Sequence, residues 1–216
     1  MAQPLVNLGT ATQFAVLSGS GITNTGSTTM TGDVGTFPTT TETGFGTVTI
    51  FGTNHMGDAV TQSAKTDLVT AYNDAAGRTP VIIPTELGGT VLTPGVYASA
   101  DGTFQITGTL TLDGNGVSNP VFIFQTASTL ITASGSGVVL VNGALACGVF
   151  WQVGSSATLG TGSTFQGSIL ALTSITVDSS VTVNGRVLAR NGAVTLSANT
   201  IAVTICSAPV RGVPLW

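Results

Sequence analysis

An internal repeat of roughly 18 residues constrains this chain more than any other feature. With residues 168–185 (SILALTSITVDSSVTVNG) as template, residues 149–167 (VFWQVGSSATLGTGSTFQG) match with one insertion. Residues 186–203 (RVLARNGAVTLSANTIAV) match with a one-residue shift, and residues 15–32 (AVLSGSGITNTGSTTMTG) match without a gap. Residues 96–112 and 122–129 open further units. Each unit holds three short apolar-rich runs separated by Gly, Ser, Asn or Asp, in the template 169–172, 175–177 and 181–183. Three strands per turn, stacked turn on turn, predict a three-sided β-solenoid. Coils need not stack in chain order.

Alternation along a strand sends Ile175 and Val177 inward and Thr176 outward, then Val181 and Val183 inward and Thr182 outward. Two outward threonine columns follow. One holds Thr23, Thr103, Thr129, Thr158, Thr176 and Thr195; the other holds Thr29, Thr109, Thr164, Thr182 and Thr200. The first run of each unit (Phe150-Trp151, Ile169-Leu170, Val187-Leu188, Phe122-Ile123-Phe124) is apolar on both sides and therefore needs a cover. Residues 54–76 supply it as the one convincing helix. Val60, Ala64, Leu68, Tyr72 and Ala75-Ala76 form its apolar stripe, and Asp58, Lys65, Asp67 and Asp74 its charged outer side. Gly77 and Pro80 end it. The threonine faces are left to water.

Charge is scarce in a way that excludes several functions. Only 6% of the 216 residues are charged, against about 25% in ordinary domains, and none lies between Asp113 and Asp178. Five Lys and Arg make no footprint for nucleic acid. The longest apolar runs, such as 121–124 and 138–141, are far below the ~20 residues that cross a membrane. His55 is the only histidine and sits at the expected helix start, where a capping or surface role is the commoner one. The scattered acids form neither a triad nor a glycosidase pair, so neither enzyme, metal site nor cofactor is expected. In the repeat register Cys206 lies about three coils from Cys147, roughly 14 Å, beyond the ~7 Å Cα limit of a disulfide. Two free thiols are expected unless the tail folds back. Met1-Ala-Gln-Pro has no charged or apolar leader region, consistent with a mature secreted chain carrying an added Met. Ser207 to Trp216 fall outside the repeat.

Several blocks are specific: residues 14–38 (FAVLSGSGITNTGSTTMTGDVGTFP), 92–97 (LTPGVY), 119–125 (NPVFIFQ), 149–155 (VFWQVGS) and 185–194 (GRVLARNGAV). Together they resemble the widespread microbial ice-binding protein family across nearly the whole chain. The resemblance implies a right-handed, irregular three-sided β-solenoid with a helix alongside, one domain over 1–216, N-terminal coils stacked on C-terminal ones, and secretion from cold-adapted microbes. It also implies ice as the partner, bound by a monomer without cofactor, with thermal hysteresis and inhibition of recrystallisation as the effects. The family pattern Thr-Ala/Gly-x-Thr/Asn occurs at 25–28, 126–129 and 161–164, in different repeat columns.

Ice offers neither charge nor pocket, so a binder needs a flat, rigid, regularly spaced surface. Threonine presents a methyl and a hydroxyl on a side chain stiffened by β-branching. The candidate contact residues are Thr23, Thr129, Ser156, Thr158, Ser174, Thr176 and Thr195 on the favoured face, and Thr164, Thr182 and Thr200 on the next. The first is favoured because Gln166 and Asn184 flank the second column with bulkier side chains. A secreted adhesin or carbohydrate-binding solenoid is the alternative use of such hydroxyl-rich faces.

Overall fold

A computed structural model describes residues 3–206; the tail at 207–216 lies outside the described residues. The chain winds into a three-sided solenoid of parallel strands, as the repeat predicts. The first face runs in space from Val81–Ile83 through Gly95–Ser99, Phe122–Thr126, Val149–Val153, the second halves of Thr164–Ala171 and Thr182–Ala189, then Phe14–Ser18 and Asp33–Thr36 to Asn54–Met56. The second face is a separate sheet. Its order is Phe104–Ile106, Leu130–Thr132, Ala157–Leu159, Ile175–Val177, Val194–Ser197, Ile22–Thr25, Glu42–Thr43. The third contains Val91–Leu92, Thr109–Asp113, Gly137–Val141, the first halves of the two long strands, Thr200–Ala202, Thr28–Thr31 and Val48–Phe51.

Spatial order differs from chain order at one place. The N-terminal coil stacks on the last repeat, with Val16 beside Val187, Thr23 beside Thr195 and Thr29 beside Thr200. The helix makes this possible. From Asp33–Thr36 to Val81–Ile83 the first face takes seven strand-to-strand steps, roughly 33 Å. A 19-residue helix, Ala59–Gly77, spans roughly 28 Å and carries the chain from one end of the stack to the other.

Inside the solenoid the inward residues form one continuous core, including a stack of Tyr97, Phe124 and Trp151 with ring centroids 5.6 and 4.0 Å apart. The buried Trp151 indole donates to the Gln166 carbonyl at 3.0 Å. A second core lies between first face and helix, where Ala64, Leu68, Ala71, Tyr72 and Ala75 pack on Leu17, Leu188, Leu170, Phe150, Ile123 and Val96. Sequence alternation therefore fails on this face for a physical reason: both sides are dry. Where the third face turns into the first, Gly167 and Gly185 adopt φ of 107° and 151°, and a Cβ on either would collide with the coil beside it.

Four expectations are corrected. The helix begins at Ala59 rather than 54: Asp58 caps it, accepting from the Thr61 amide at 2.8 Å, while Asn54–Met56 adds an edge strand beside Asp33–Thr36. Val60 and Ala76 of the expected stripe are exposed. Lys65 is not on the outer side. It is buried, and its ammonium donates to the Ala189 carbonyl at 2.6 Å and to that of Arg190, tying the helix to a strand end. Burial, with the Arg190 guanidinium nearby, pushes its pKa down to about 7. Finally, Cys147 and Cys206 form a disulfide, Cα atoms 5.4 Å apart. The chain leaves the repeat after Ala202 and doubles back, so coil counting overstates their separation. Among the described residues no helix is long and apolar enough to cross a membrane.

Two predictions follow from these ties. The Asp58 carboxyl is held at about 2 by the Thr61 amide and His55, and Asp67 is lowered by the Thr10 hydroxyl and amide. Groups depressed in the fold stabilise it above their unfolded pKa and cease to do so as pH falls through the folded one. Thermal melts should therefore fall as the pH drops from about 4 to about 2, and Asp58→Asn should flatten part of that fall. The disulfide closes a separation of 59 residues. Replacing both cysteines with serine should cost about 2–4 kcal/mol, read as the loss of denaturant midpoint.

Candidate functional site

The second face is a sheet of seven short parallel strands. Its inward residues Ile22, Val194, Ile175, Ala157, Leu130 and Phe104 are all essentially inaccessible and fix the backbone from beneath. Its central outward column reads, in register, Thr43, Thr23, Thr195, Thr176, Thr158, Ile131 and Gln105. Five threonines stand in an unbroken row, repeated about every 4.7–4.9 Å. Among the described residues their hydroxyls make no hydrogen bond within the protein, and all five side chains are at least partly exposed.

Thr103 and Thr129 do not belong to this row. Phe104 and Leu130, completely buried, point inward and fix the register. The threonines before them therefore sit at the corner of first and second faces, hydroxyl to hydroxyl at 3.3 Å. Ile131 and Gln105 take the outward places. Ser156 and Ser174 occupy the same corner, and their hydroxyls are engaged. Ser156 Oγ lies 2.7 Å from Thr173 Oγ1 and accepts from the Ser174 amide at 3.3 Å, and Ser174 Oγ accepts from the Ala193 amide at 3.3 Å. These serines lace neighbouring coils together and keep the flank of the row low.

The third face carries its own row: Thr49, Thr29, Thr200, Thr182 and Thr164 in register, then Gly137 and Thr109. All five threonines expected in that column stand in it. Beside them lie Asn184 paired with Gln166, and Phe51 paired with Thr31, so this face is rougher. Phe51 is 64% exposed.

The three Thr-Ala/Gly-x-Thr segments lie at corners. Residues 25–28 and 161–164 turn from the second face to the third, using φ of 73° at Gly26 and 69° at Gly162. Thr28 is buried there and donates to Asn24 Oδ1 at 2.6 Å. Residues 126–129 turn from the first face to the second. The pattern thus marks turns that let the rows align.

Charged groups are held off both rows. Asp178 sits at the corner between them, Glu42 points toward the interior of the end coil beside Ile22, and Asp74 pairs with Arg78 at 2.7 Å on the helix. Burial raises the Glu42 pKa, against the hydrogen bond from Asn54. His55 is not a simple surface cap: it lies half-buried against Phe14, 2.6 Å from Asp58 and 3.7 Å from Asp33. Among the described residues no cluster of three or more His, Cys, Asp or Glu side chains could hold a metal.

The model of the ice-binding-like family matches residues 16–202. The chain belongs to that family. It is 48% identical over 198 residues to an ice-binding protein of Nostoc sp. (strain HG1), covering 90% of this chain and 73% of that one. It is 38% identical over 215 residues to an ice-binding protein of Flavobacterium frigoris (strain PS1), covering 92% and 76%. Among solved structures, an ice binding protein from an Antarctic biological consortium superimposes with a TM-score of 0.91 at 46% identity, covering 94% and 92%. That of the ascomycete Antarctomyces psychrotrophicus gives 0.90 at 38%, covering 94% and 100%. The ice-binding-like solenoid is thus the fold expected from the repeat and the resemblance.

Within this ice-binding-like face, corner and row should separate in stability measurements. Ser174→Ala removes a hydroxyl that joins two coils and should cost about 1 kcal/mol. Thr176→Val, on the outward row, should stay within about 0.5 kcal/mol of the parent. Urea titration of both variants checks this.

Proposed function

We propose that this protein adsorbs to ice crystals through the second face, slowing their growth and recrystallisation. It acts as a secreted, single-domain monomer, without cofactor, and not as an enzyme. The observation that carries this is the unbroken row of Thr43, Thr23, Thr195, Thr176 and Thr158 with unengaged hydroxyls. Relatives described as ice-binding proteins support the same reading.

The mechanism rests on water. Adjacent methyl and hydroxyl groups at fixed spacing, about 4.7–4.9 Å along the stack, can order a layer of water before contact. An ordered layer reduces the freedom lost on adsorption, the usual gain of preorganisation. Lysine or glutamate in the row would keep its own hydration shell and oppose this. The third-face row, equally long and in register, is a second contact surface in this reading, weakened by Gln166, Asn184 and Phe51 at its side.

Ice growth near the melting point, watched in dilute protein, tests the proposal. Faceted crystals and a gap between freezing and melting are expected. Thr176→Tyr raises a ring in the middle of the row and should lower that gap about tenfold at equal concentration, whereas Thr182→Tyr should retain most of it. The reverse ranking moves the site to the third face. Rounded, freely growing ice with the parent protein would reject ice binding and leave a glycan as the ligand to test at room temperature.

A further inference from the structure

Arg186 is almost wholly buried, 2% exposed, yet its partners are all neutral. Its Nε donates to the Thr12 carbonyl at 2.9 Å, Nη1 to Ser168 Oγ at 3.1 Å and Nη2 to the Thr204 carbonyl at 3.0 Å. These use three of the five N–H donors of a guanidinium. Among the described residues no carboxylate lies within 4 Å of it. Burial lowers its pKa only to about 10, so the group is charged at neutral pH. Buried charges are ordinarily paired.

Arg186 also lines a cleft of about 310 Å³, bounded by Leu5, Leu8, Phe150 and Ile205 and beside the disulfide. That volume is at the lower end of small-molecule sites. Leu5 and Ile205 are 44% and 65% exposed, so the cleft is open to solvent along an apolar rim. Thr204 lines its polar end, and the Thr204 hydroxyl is buried without a partner. One end therefore holds a buried cation with unused donors beside a buried, unpartnered hydroxyl, and the walls are mostly hydrocarbon with Asn7 and Thr12 among them.

We propose that this cleft binds a monocarboxylate bearing a short apolar chain, the carboxylate meeting Arg186 and Thr204 and the chain lying along Leu8 and Phe150. An inorganic dianion would meet only one cation and leave the apolar walls unused. A neutral alcohol could accept one hydrogen bond but would not compensate the charge. The cleft lies away from both threonine rows, so binding here is independent of ice adsorption.

Calorimetric titration of the full chain at neutral pH with sodium hexanoate, and separately with hexan-1-ol, tests this. One-to-one saturation by hexanoate is expected, with hexanol weaker by about tenfold or more, the range of a charge-assisted hydrogen bond. Arg186→Gln should weaken hexanoate by about tenfold and leave hexanol unchanged. Because Arg186 also joins the N-terminal segment to the end of the last coil, that variant can fail to fold. Thr204→Val then serves, with an expected loss of about threefold. Equal binding of acid and alcohol, no saturation by about 10 mM, or undiminished hexanoate binding by a folded Arg186→Gln would each overturn the proposal. Ice shaping measured with saturating hexanoate should be unchanged.

Discussion

Parallel pairing of each coil with the next repeats every outward side chain at about 4.7–4.9 Å, and both threonine rows inherit that spacing. The repeat is held from inside. Fully buried Ile175, Val194 and Ile22 lie directly beside one another, so Thr176, Thr195 and Thr23 cannot drift relative to one another without disturbing the core. Backbone hydrogen bonds fix the spacing, core packing fixes the phase, and the corner serines fix the height of the flank. A surface assembled this way is rigid without needing any interaction among its own exposed groups.

The same pairing leaves open edges at the two ends of the stack, and the chain deals with each differently. At one end the Glu86 carboxylate accepts from the Gly88 and Thr107 amides and the Thr107 hydroxyl, occupying groups a further strand would have used. At the other, Asn54–Met56 adds a last short strand before the helix begins. The helix then shields the one face that cannot meet water. It is anchored by polar contacts at points where apolar packing gives out. Lys65 binds strand carbonyls near the Ala189 end, and Gln125 donates to the Ala75 and Arg78 carbonyls at 2.7 Å each, where the helix stops.

Much of this was legible in the sequence because the inner coils are uniform. Residues 149–203 share inward apolar residues, and the one-residue shift of the last unit is confined to its corners, so Thr158, Thr176 and Thr195, and likewise Thr164, Thr182 and Thr200, fall where the repeat puts them. Thr103 and Thr129 were misplaced by matching threonine to threonine, although the inward residue sets the phase. Phe104 and Leu130 carried that information, since a completely buried aromatic or leucine has no outward option. Lys65 and the disulfide were illegible for a different reason. Both depend on contacts more than 50 residues apart in sequence, and neither periodicity nor coil counting registers a chain that turns back on itself.

Scarcity of charge is the remaining constraint, and it acts on solubility as well as on the rows. A surface of hydroxyls and backbone is hydrated weakly, and large uncharged faces ordinarily invite association. Here the carboxylates are confined to the helix, the corners and the ends of the stack, so repulsion between molecules is supplied from the margins. Asp178 shows how close that compromise runs. It stands at the corner shared by the two rows, where its carboxylate can meet bulk water while the adjacent Ser179 and Ser197 hydroxyls bond to each other at 2.9 Å. Moved two residues toward Thr176, the same charge would sit within the row and hold water in the wrong order. The corner is therefore the one place between the two rows where a charge can keep the molecule dispersed without breaking either row.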